Sequence, residues 1–314
     1  MNTNKLKAPS IIKDLYSRYY LSADSQGNAV SSHWKEFGSK IKVRMDADGN
    51  LLSFVGYGFG DQSPTIVFNR IFKYICNLSY FVRMSNKKDV FDLAKTAIPL
   101  VKKSGMYLSY DCFRQICSLS RIRQYFKFDK HDKFDILVIG DGYGFLSGLL
   151  KELYLCARIT LVDIGKVLFF QAVNLQLMHP DKRHILIGRS EIKREDDFIY
   201  VPAGDLSGLG NIKYRLVINI ASMQEMDRKT IEDYFLFIRR NTLTDNLFYC
   251  CNRQKKMLPD GESIEFLKYP WMDEDRHMID EVCDFYKYHF SVMFPFVHKF
   301  DGLFLHRLTN LKTV

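Results

Sequence analysis

Residues 134–145 read Phe134-Asp135-Ile136-Leu137-Val138-Ile139-Gly140-Asp141-Gly142-Tyr143-Gly144-Phe145. An apolar run that stops at a cluster of glycines has the composition of a buried parallel strand entering a tight turn. Beyond it the period changes. Leu146, Leu149, Leu150 and Leu153 fall at i, i+3, i+4 and i+7, the spacing of one helix face laid on a sheet. Glycines between strand and helix let the backbone take positive φ and approach a ligand closely. The N–H groups of the helix behind them favour a negatively charged group. The same stretch also serves as a plain tight turn without a ligand.

The alternation repeats downstream. Residues 158–162 (RITLV), 198–201 (FIYV), 215–221 (RLVINIA) and 246–252 (NLFYCCN) read as strands. Residues 145–154, 166–178 and 227–240 read as helices. Asp227 is placed to cap the last of these, with Met226 and Ile231 as a hydrophobic staple. A further helix is expected over 273–288. Residues 291–298 and 303–307 then read as two strands joined by a short loop, an antiparallel pair at one edge. The expected fold is α/β, with a parallel, doubly wound sheet over residues 131–314.

Residues 1–130 differ in character. Helices are expected over 66–82, over 90–103 with an interruption at Pro99, and over 110–128. The runs 41–45 (IKVRM) and 51–57 (LLSFVGY) flank an Asp48-Gly49 pair, a hairpin signal. This mainly helical part carries 21 basic and 10 acidic residues, against 24 and 26 in the remainder. All the excess positive charge therefore lies before residue 131, which suits an anionic partner or a solvated basic surface.

The longest apolar runs, such as 136–139 and 235–238, fall far short of the ~18 residues a membrane helix needs. The first ten residues hold no apolar stretch of the signal-peptide kind. Seven cysteines without a CxxC pair argue against a disulfide framework or a structural zinc site. A cytoplasmic protein with no membrane span is expected, and the sequence sets no oligomeric state.

Two acids extend the glycine turn into a larger pattern. Asp163 follows the second strand, where a carboxylate can accept hydrogen bonds from both hydroxyls of a ribose or cap the next helix. Gly204 and Asp205 follow the third strand, where a carboxylate can receive the exocyclic amine of adenine or simply turn the chain. A dinucleotide loop would need a glycine at position 145, which is Phe145. The spacing Gly140, Gly142, Gly144 resembles instead the S-adenosylmethionine loop of class I methyltransferases.

The run 216–226 (LVINIASMQEM), with VPAGDL at 201–206, resembles a family of sugar O-methyltransferases found among bacterial surface-polysaccharide enzymes. The likeness is clear over about 134–255 and faint at His33-Trp34 and in the closing strands. It implies a Rossmann-like, seven-stranded class I methyltransferase sheet whose last pair is antiparallel, behind a helical N-terminal region. It also implies S-adenosyl-L-methionine as cofactor and a sugar, nucleotide-sugar or glycan as acceptor. Val138 departs from the pattern, because such enzymes usually carry Glu or Asp two residues before the first loop glycine; Asp141, inside the loop, is expected to substitute for it in part at the cofactor.

Methyl transfer from a sulfonium is an in-line displacement, so the protein mainly aligns the reactants. A sugar hydroxyl also wants a general base within hydrogen-bond reach. Ligands in open α/β sheets sit beyond the carboxyl ends of the strands. There the sequence offers Asn219, Ser222, Gln224, Glu225, Asn252 and Arg253. Glu225 is the first candidate base, with a helix-end charge as its other role, and His298 is the second. Asn219 is expected at the cofactor, and Gln224, Trp271 and Trp34 at the acceptor. No Asp/His cluster has metal-ligand spacing, so no metal is expected. Two other readings stand beside this one. RNA ribose methylation suits the basic region, although the chain has no Pro-Pro-Tyr or Pro-Cys motif of base methylation. A non-catalytic binding module of the same fold is prompted by Val138.

Overall fold

The apolar run of residues 135–139 is a central strand of an eight-stranded sheet. The computed structural model describes residues 6–7, 9–21, 32, 42–46, 50–55, 67–82, 84–290 and 297–314. In chain order the first part holds β1 (Leu6–Lys7), α1 (Ser10–Tyr16), β2 (Lys42–Met45), β3 (Asn50–Val55), α2 (Val67–Phe81), α3 (Lys87–Lys103) and α4 (Tyr110–Ile122). Next come β4 (Asp135–Ile139), α5 (Phe145–Leu153), β5 (Arg158–Asp163), α6 (Gly165–Met178), β6 (His184–Leu186) and β7 (Phe198–Pro202). Then follow β8 (Tyr214–Ile220), α7 (Arg228–Asn241), β9 (Thr242–Arg253), β10 (Lys255–Met257) and β11 (Ser263–Glu265). The chain closes with β12 (Arg276–Val282), β13 (Tyr288–Phe290), β14 (Val297–Lys299) and β15 (Phe304–Asn310).

The sheet runs β12-β15-β9-β8-β4-β5-β7-β6. Strands from β9 to β6 are parallel, whereas β15 and β12 are antiparallel additions at the far end. Strand order reverses beside β4, the kind of place where such sheets gather ligands at their carboxyl ends. The doubly wound α/β reading is thus borne out, with β6 as an eighth strand beyond the seven expected.

Alternate residues of β4 serve opposite faces. Ile136 and Val138 join a core with Leu149 of α5, Phe169 of α6 and Leu93, Phe113 and Ile116 of α3 and α4. Leu137 and Ile139 join a second core with Ile231, Phe235 and Ile238 of α7. A strand covered on both sides must be apolar throughout, which is why 136–139 reads as an unbroken run. Asp227 caps α7 as its position predicts, accepting from the Thr230 N–H at 2.7 Å. The interruption expected at Pro99 does not occur, because α3 runs through it to Lys103.

Three expectations are corrected. Residues 276–282 form β12, not part of a helix. The partner strand decides this. Asp280 takes a two-pronged contact from Arg307 (3.0 and 2.7 Å), and Glu281 meets His306 at 3.2 Å, across the β12–β15 ladder. Cross-strand pairs of this kind override local helix preference. The antiparallel pair of the main sheet is therefore β12 and β15. Of the expected strand 291–298, residues 291–296 lie outside the described residues, and β14 pairs with β13 in a separate hairpin. Helix α4 ends at Ile122 rather than near residue 128. The N-terminal hairpin pairs β2 with β3 and gains β1 as a third strand. Among the described residues no helix is long and apolar enough to cross a membrane.

Only a 3-10 turn, Ala203–Leu209, leads off β7 on the way to β8, where a doubly wound sheet usually has a full helix. The space left is an open groove of about 1000 Å³ whose lining includes Arg18, Gly188, Asp205, Leu209, Gly210 and Lys213.

Candidate functional site

The turn after β4 has left-handed backbone at all three glycines, with φ of 73° at Gly140, 61° at Gly142 and 83° at Gly144. Gly140 is also held by its neighbours. Its N–H donates to the Val162 carbonyl at 2.9 Å, and a Cβ at 140 would lie 2.1 Å from Ser222 Oγ. Gly144 is the N-cap of α5 and has no side chain to cap with. Asp141 does this instead. Its carboxylate accepts from the N–H groups of Leu146 (3.2 Å) and Ser147 (2.9 Å). Asp141 is therefore a buried helix cap, and burial pushes its carboxyl up to about 6.

Asp163 stands at the end of β5, directly beside this turn. It accepts from the Ile164 N–H at 2.8 Å and from the Gln171 side-chain amide at 2.7 Å. Desolvation by its surroundings pushes its carboxyl up to about 7, and the nearby Asp141 adds to the rise. The N–H groups of Ile164 and Gly142 pull it back only in part. The turn and the acid thus share one small space. Asp205 follows β7 and is half exposed, with Arg18 Nη2 2.9 Å from its Oδ2. A Cβ on Gly204 would meet nothing within 4 Å, so the chain is open to solvent there. The large groove reaches Asp205 but is not lined by the glycine turn or Asp163.

The end of β8 is tied down by side-chain amides. Asn219 is fully buried and spends its groups internally: it donates to the Ile139 carbonyl at 3.0 Å and to Ser222 Oγ, and accepts from Asn252 at 2.8 Å and the Met223 N–H at 3.3 Å. Gln224 is buried as well and accepts from the Arg253 N–H at 2.7 Å. Asn252 accepts from the Gln224 N–H at 3.1 Å, closing the loop between β8 and β9. Ala221, at φ 58°, is the one described non-glycine residue with positive φ. Strain of this kind clusters at functional turns. Neither the Ser222–Gly140 contact nor the position of Ala221 has a signature in the sequence.

Of the two candidate bases, Glu225 belongs to this turn. Its carboxylate lies 2.9 Å from Lys256 Nζ on β10, and both side chains are largely buried. His298 lies in the β13–β14 hairpin, opposite His289, outside the main sheet. Trp271 is drawn into an aromatic cluster. Its indole N–H donates to the Phe266 carbonyl at 3.0 Å, its ring packs edge-on to Phe235 at 4.9 Å, and Arg307 lies over it at 4.5 Å. Those contacts give Trp271 a packing role. Trp34 lies outside the described residues. Among the described residues no three His, Cys, Asp or Glu side chains gather in a way that would hold a metal ion.

No family model and no curated protein matches the sequence. Solved structures with a similar course of chain include a DhpI complex with SAH, at 13% identity over 76% of this chain and 97% of that one, with a TM-score of 0.36. Another is a TehB-like SAM-dependent methyltransferase from Corynebacterium glutamicum, at 12% identity over 62% and 88%, with a TM-score of 0.36. A third is a precorrin-6y C5,15-methyltransferase from Geobacter metallireducens, at 14% identity over 63% and 87%, also with a TM-score of 0.36. Likeness at this level is too distant to assign a cofactor or a substrate.

Proposed function

We propose that the chain is an S-adenosylmethionine-dependent O-methyltransferase whose acceptor is a sugar hydroxyl, free, nucleotide-linked or in a glycan. One observation carries the cofactor half of this reading. Three adjacent parallel strands, β4, β5 and β7, lead into the left-handed glycine turn, Asp163 and Asp205 respectively. A nucleoside fits that row. Asp163 offers a half-buried carboxylate for the ribose hydroxyls, Asp205 an accessible one for the adenine amine, and the glycine turn a bare backbone for the remainder.

When bound, the cofactor supplies an electrophilic methyl carbon with a good leaving group. The chain's own part is to hold and orient. Asp163 and Asp205 fix the two ends of the nucleoside. The amides of Asn219, Gln224 and Asn252 hold the β8–β9 loops in place over the turn. Glu225 is the carboxylate in that loop able to take the proton of an acceptor hydroxyl, and its salt bridge with Lys256 fixes where it stands. The acceptor half rests on the likeness of 216–226 to sugar O-methyltransferases and on the basic residues 1–130, which suit a phosphorylated or nucleotide-linked sugar.

Calorimetric titration with S-adenosylhomocysteine tests the cofactor. The expected result is binding by the wild type and a loss of about tenfold to a hundredfold on Asp163→Ala, the scale of losing charge-assisted hydrogen bonds. An absence of binding at millimolar ligand rejects the reading. For the acceptor, a nucleotide-linked sugar is expected to bind better than the neutral sugar, with the advantage shrinking as salt rises.

A further inference from the structure

The segment Ser10–Leu21 reaches the proposed cofactor site, although it lies far away in sequence. Helix α1 packs along α6, and Tyr16 and Tyr20 close on Phe169 with ring centroids 6.2 and 5.3 Å apart. The chain then widens into a five-residue π-turn, Ser17–Leu21. Such turns are rare and recur at functional sites.

Three consecutive side chains of this turn grip the carboxyl ends of β5 and β7. Arg18 pairs with Asp205 at 2.9 Å. Tyr20 donates from its hydroxyl to the Lys166 carbonyl at 3.1 Å. Between them the Tyr19 ring packs against Gly165, two residues beyond Asp163. A Cβ at 165 would stand 2.3 Å from ring atoms Cδ1 and Cε1, so only glycine admits the ring. Tyr19 is 9% exposed, and its hydroxyl is buried without a hydrogen-bond partner. A buried hydroxyl of this kind calls for a partner, a water or a ligand, to complete it. The ring of Tyr19 bridges the ground between the residues following Asp163 and the Arg18–Asp205 pair.

We infer that Tyr19 is a cofactor-contacting residue: its ring walls the adenosine end of the site, and its hydroxyl hydrogen-bonds the bound nucleoside. The inference rests on the cofactor reading above and extends it to a segment more than a hundred residues before the glycine turn. It also gives Gly165 a function, as the clearance that lets the ring lie there.

The test is calorimetric titration of the full chain and of Tyr19→Phe with two ligands, S-adenosylhomocysteine and 5′-methylthioadenosine. The second ligand lacks the amino-acid end. The phenylalanine ring keeps the packing on Gly165, so the ligand-free melting temperature should stay level or rise. Both ligands should lose about fivefold to tenfold in affinity, the scale of one neutral hydrogen bond. Equal affinities for the variant and the wild type overturn the assignment while leaving the cofactor reading intact. A loss confined to S-adenosylhomocysteine overturns the placement at the adenosine end. Failure of the wild type to bind either ligand overturns the cofactor reading and this assignment with it.

Discussion

Ser222 stands where a side chain on Gly140 would have to go: a Cβ on that glycine would lie 2.1 Å from Ser222 Oγ and 2.3 Å from Ser222 Cβ. The loop after β8 is thus seated directly on the glycine turn after β4. The two cannot be altered independently.

Gly140→Ala should therefore be costly on two counts. The left-handed backbone adds about 1–2 kcal/mol for any residue with a Cβ. Overlap with Ser222 adds roughly 1–3 kcal/mol more. Urea denaturation should show their sum, and Ser222→Gly in the same chain should recover the overlap part less the cost of the hydrogen bonds that Ser222 Oγ makes with Asn219 and the Ile139 carbonyl. A Gly140→Ala protein of wild-type stability would mean that the loop does not sit on the turn.

Asp163 makes a prediction about pH. Its carboxyl is raised to about 7 from an ordinary 3.8. Between those values the folded chain keeps a proton that the unfolded chain has lost, so rising pH lowers the stability this residue contributes. Buried His184 and His306, both lowered to about 4, act in the opposite sense. The effect of Asp163 must therefore be read as a difference. Asp163→Asn should gain stability relative to the wild type as pH rises from 5 to 8. Over the same window the affinity for S-adenosylhomocysteine should rise in the wild type, because ribose hydroxyls donate to the ionised carboxylate, and stay level in the variant. A constant gap in melting temperature would contradict this placement of the acid.

Glu225→Gln separates a base from a brace. As a general base, Glu225 is worth ~10²–10⁴-fold in turnover, with cofactor affinity unchanged. As the partner of Lys256 alone it bears on stability and leaves turnover unchanged, because both side chains are largely buried and the lysine would lose its carboxylate. Turnover, melting temperature and cofactor affinity measured on one preparation distinguish the two. A variant with wild-type turnover would shift the proton to His298.

The ion pair of Arg239 and Asp275 is completely enclosed. Two hydrogen bonds of 2.7 Å join them, and Arg239 also donates to the carbonyls of Pro270 and Lys312 at 2.9 Å. The guanidinium and the backbone N–H groups of Met272 and Lys312 hold the Asp275 carboxyl below its usual range against the cost of burial. Arg239→Met should destabilise the fold by about 3–5 kcal/mol, because it strands a buried charge. Adding Asp275→Leu should restore part of that loss. Failure of the second change to help would show that the Met272 and Lys312 N–H groups need the carboxylate as much as Arg239 does.

What the sequence made legible follows from local chemistry. The strands of the parallel sheet are short apolar runs buried on both faces, so composition alone marks 136–139 and 216–220. Asp227 announces a helix start because capping is a local act. The edge of the sheet was not legible in this way. Residues 276–282 carry a charge pattern compatible with a helix, and the antiparallel ladder with β15, with its Asp280–Arg307 and Glu281–His306 pairs, makes them a strand. The site divides along the same line. The turn and the acids at 163 and 205 are fixed by their place after successive strands. Trp271 is expected at the acceptor, and an isolated tryptophan does not reveal that Arg307 and Phe235 pack against it. The contact of Tyr19 with Gly165 has no local mark at all, since the two lie 146 residues apart.

The two outermost strands carry a consequence for how molecules of this protein meet one another. A free sheet edge is a template on which a second chain can add a strand, the first step toward aggregates. One edge, β6, is three residues long, too short to guide a stable partner. The other, β12, presents exposed Arg276, Asp280 and Glu281 along a ladder broken by a bulge between His277 and Ile279. Exchanging Asp280 and Glu281 for threonine or valine would leave the stretch beyond the bulge as an uncharged border. The chain would then be expected to self-associate during refolding even where the native fold remains intact.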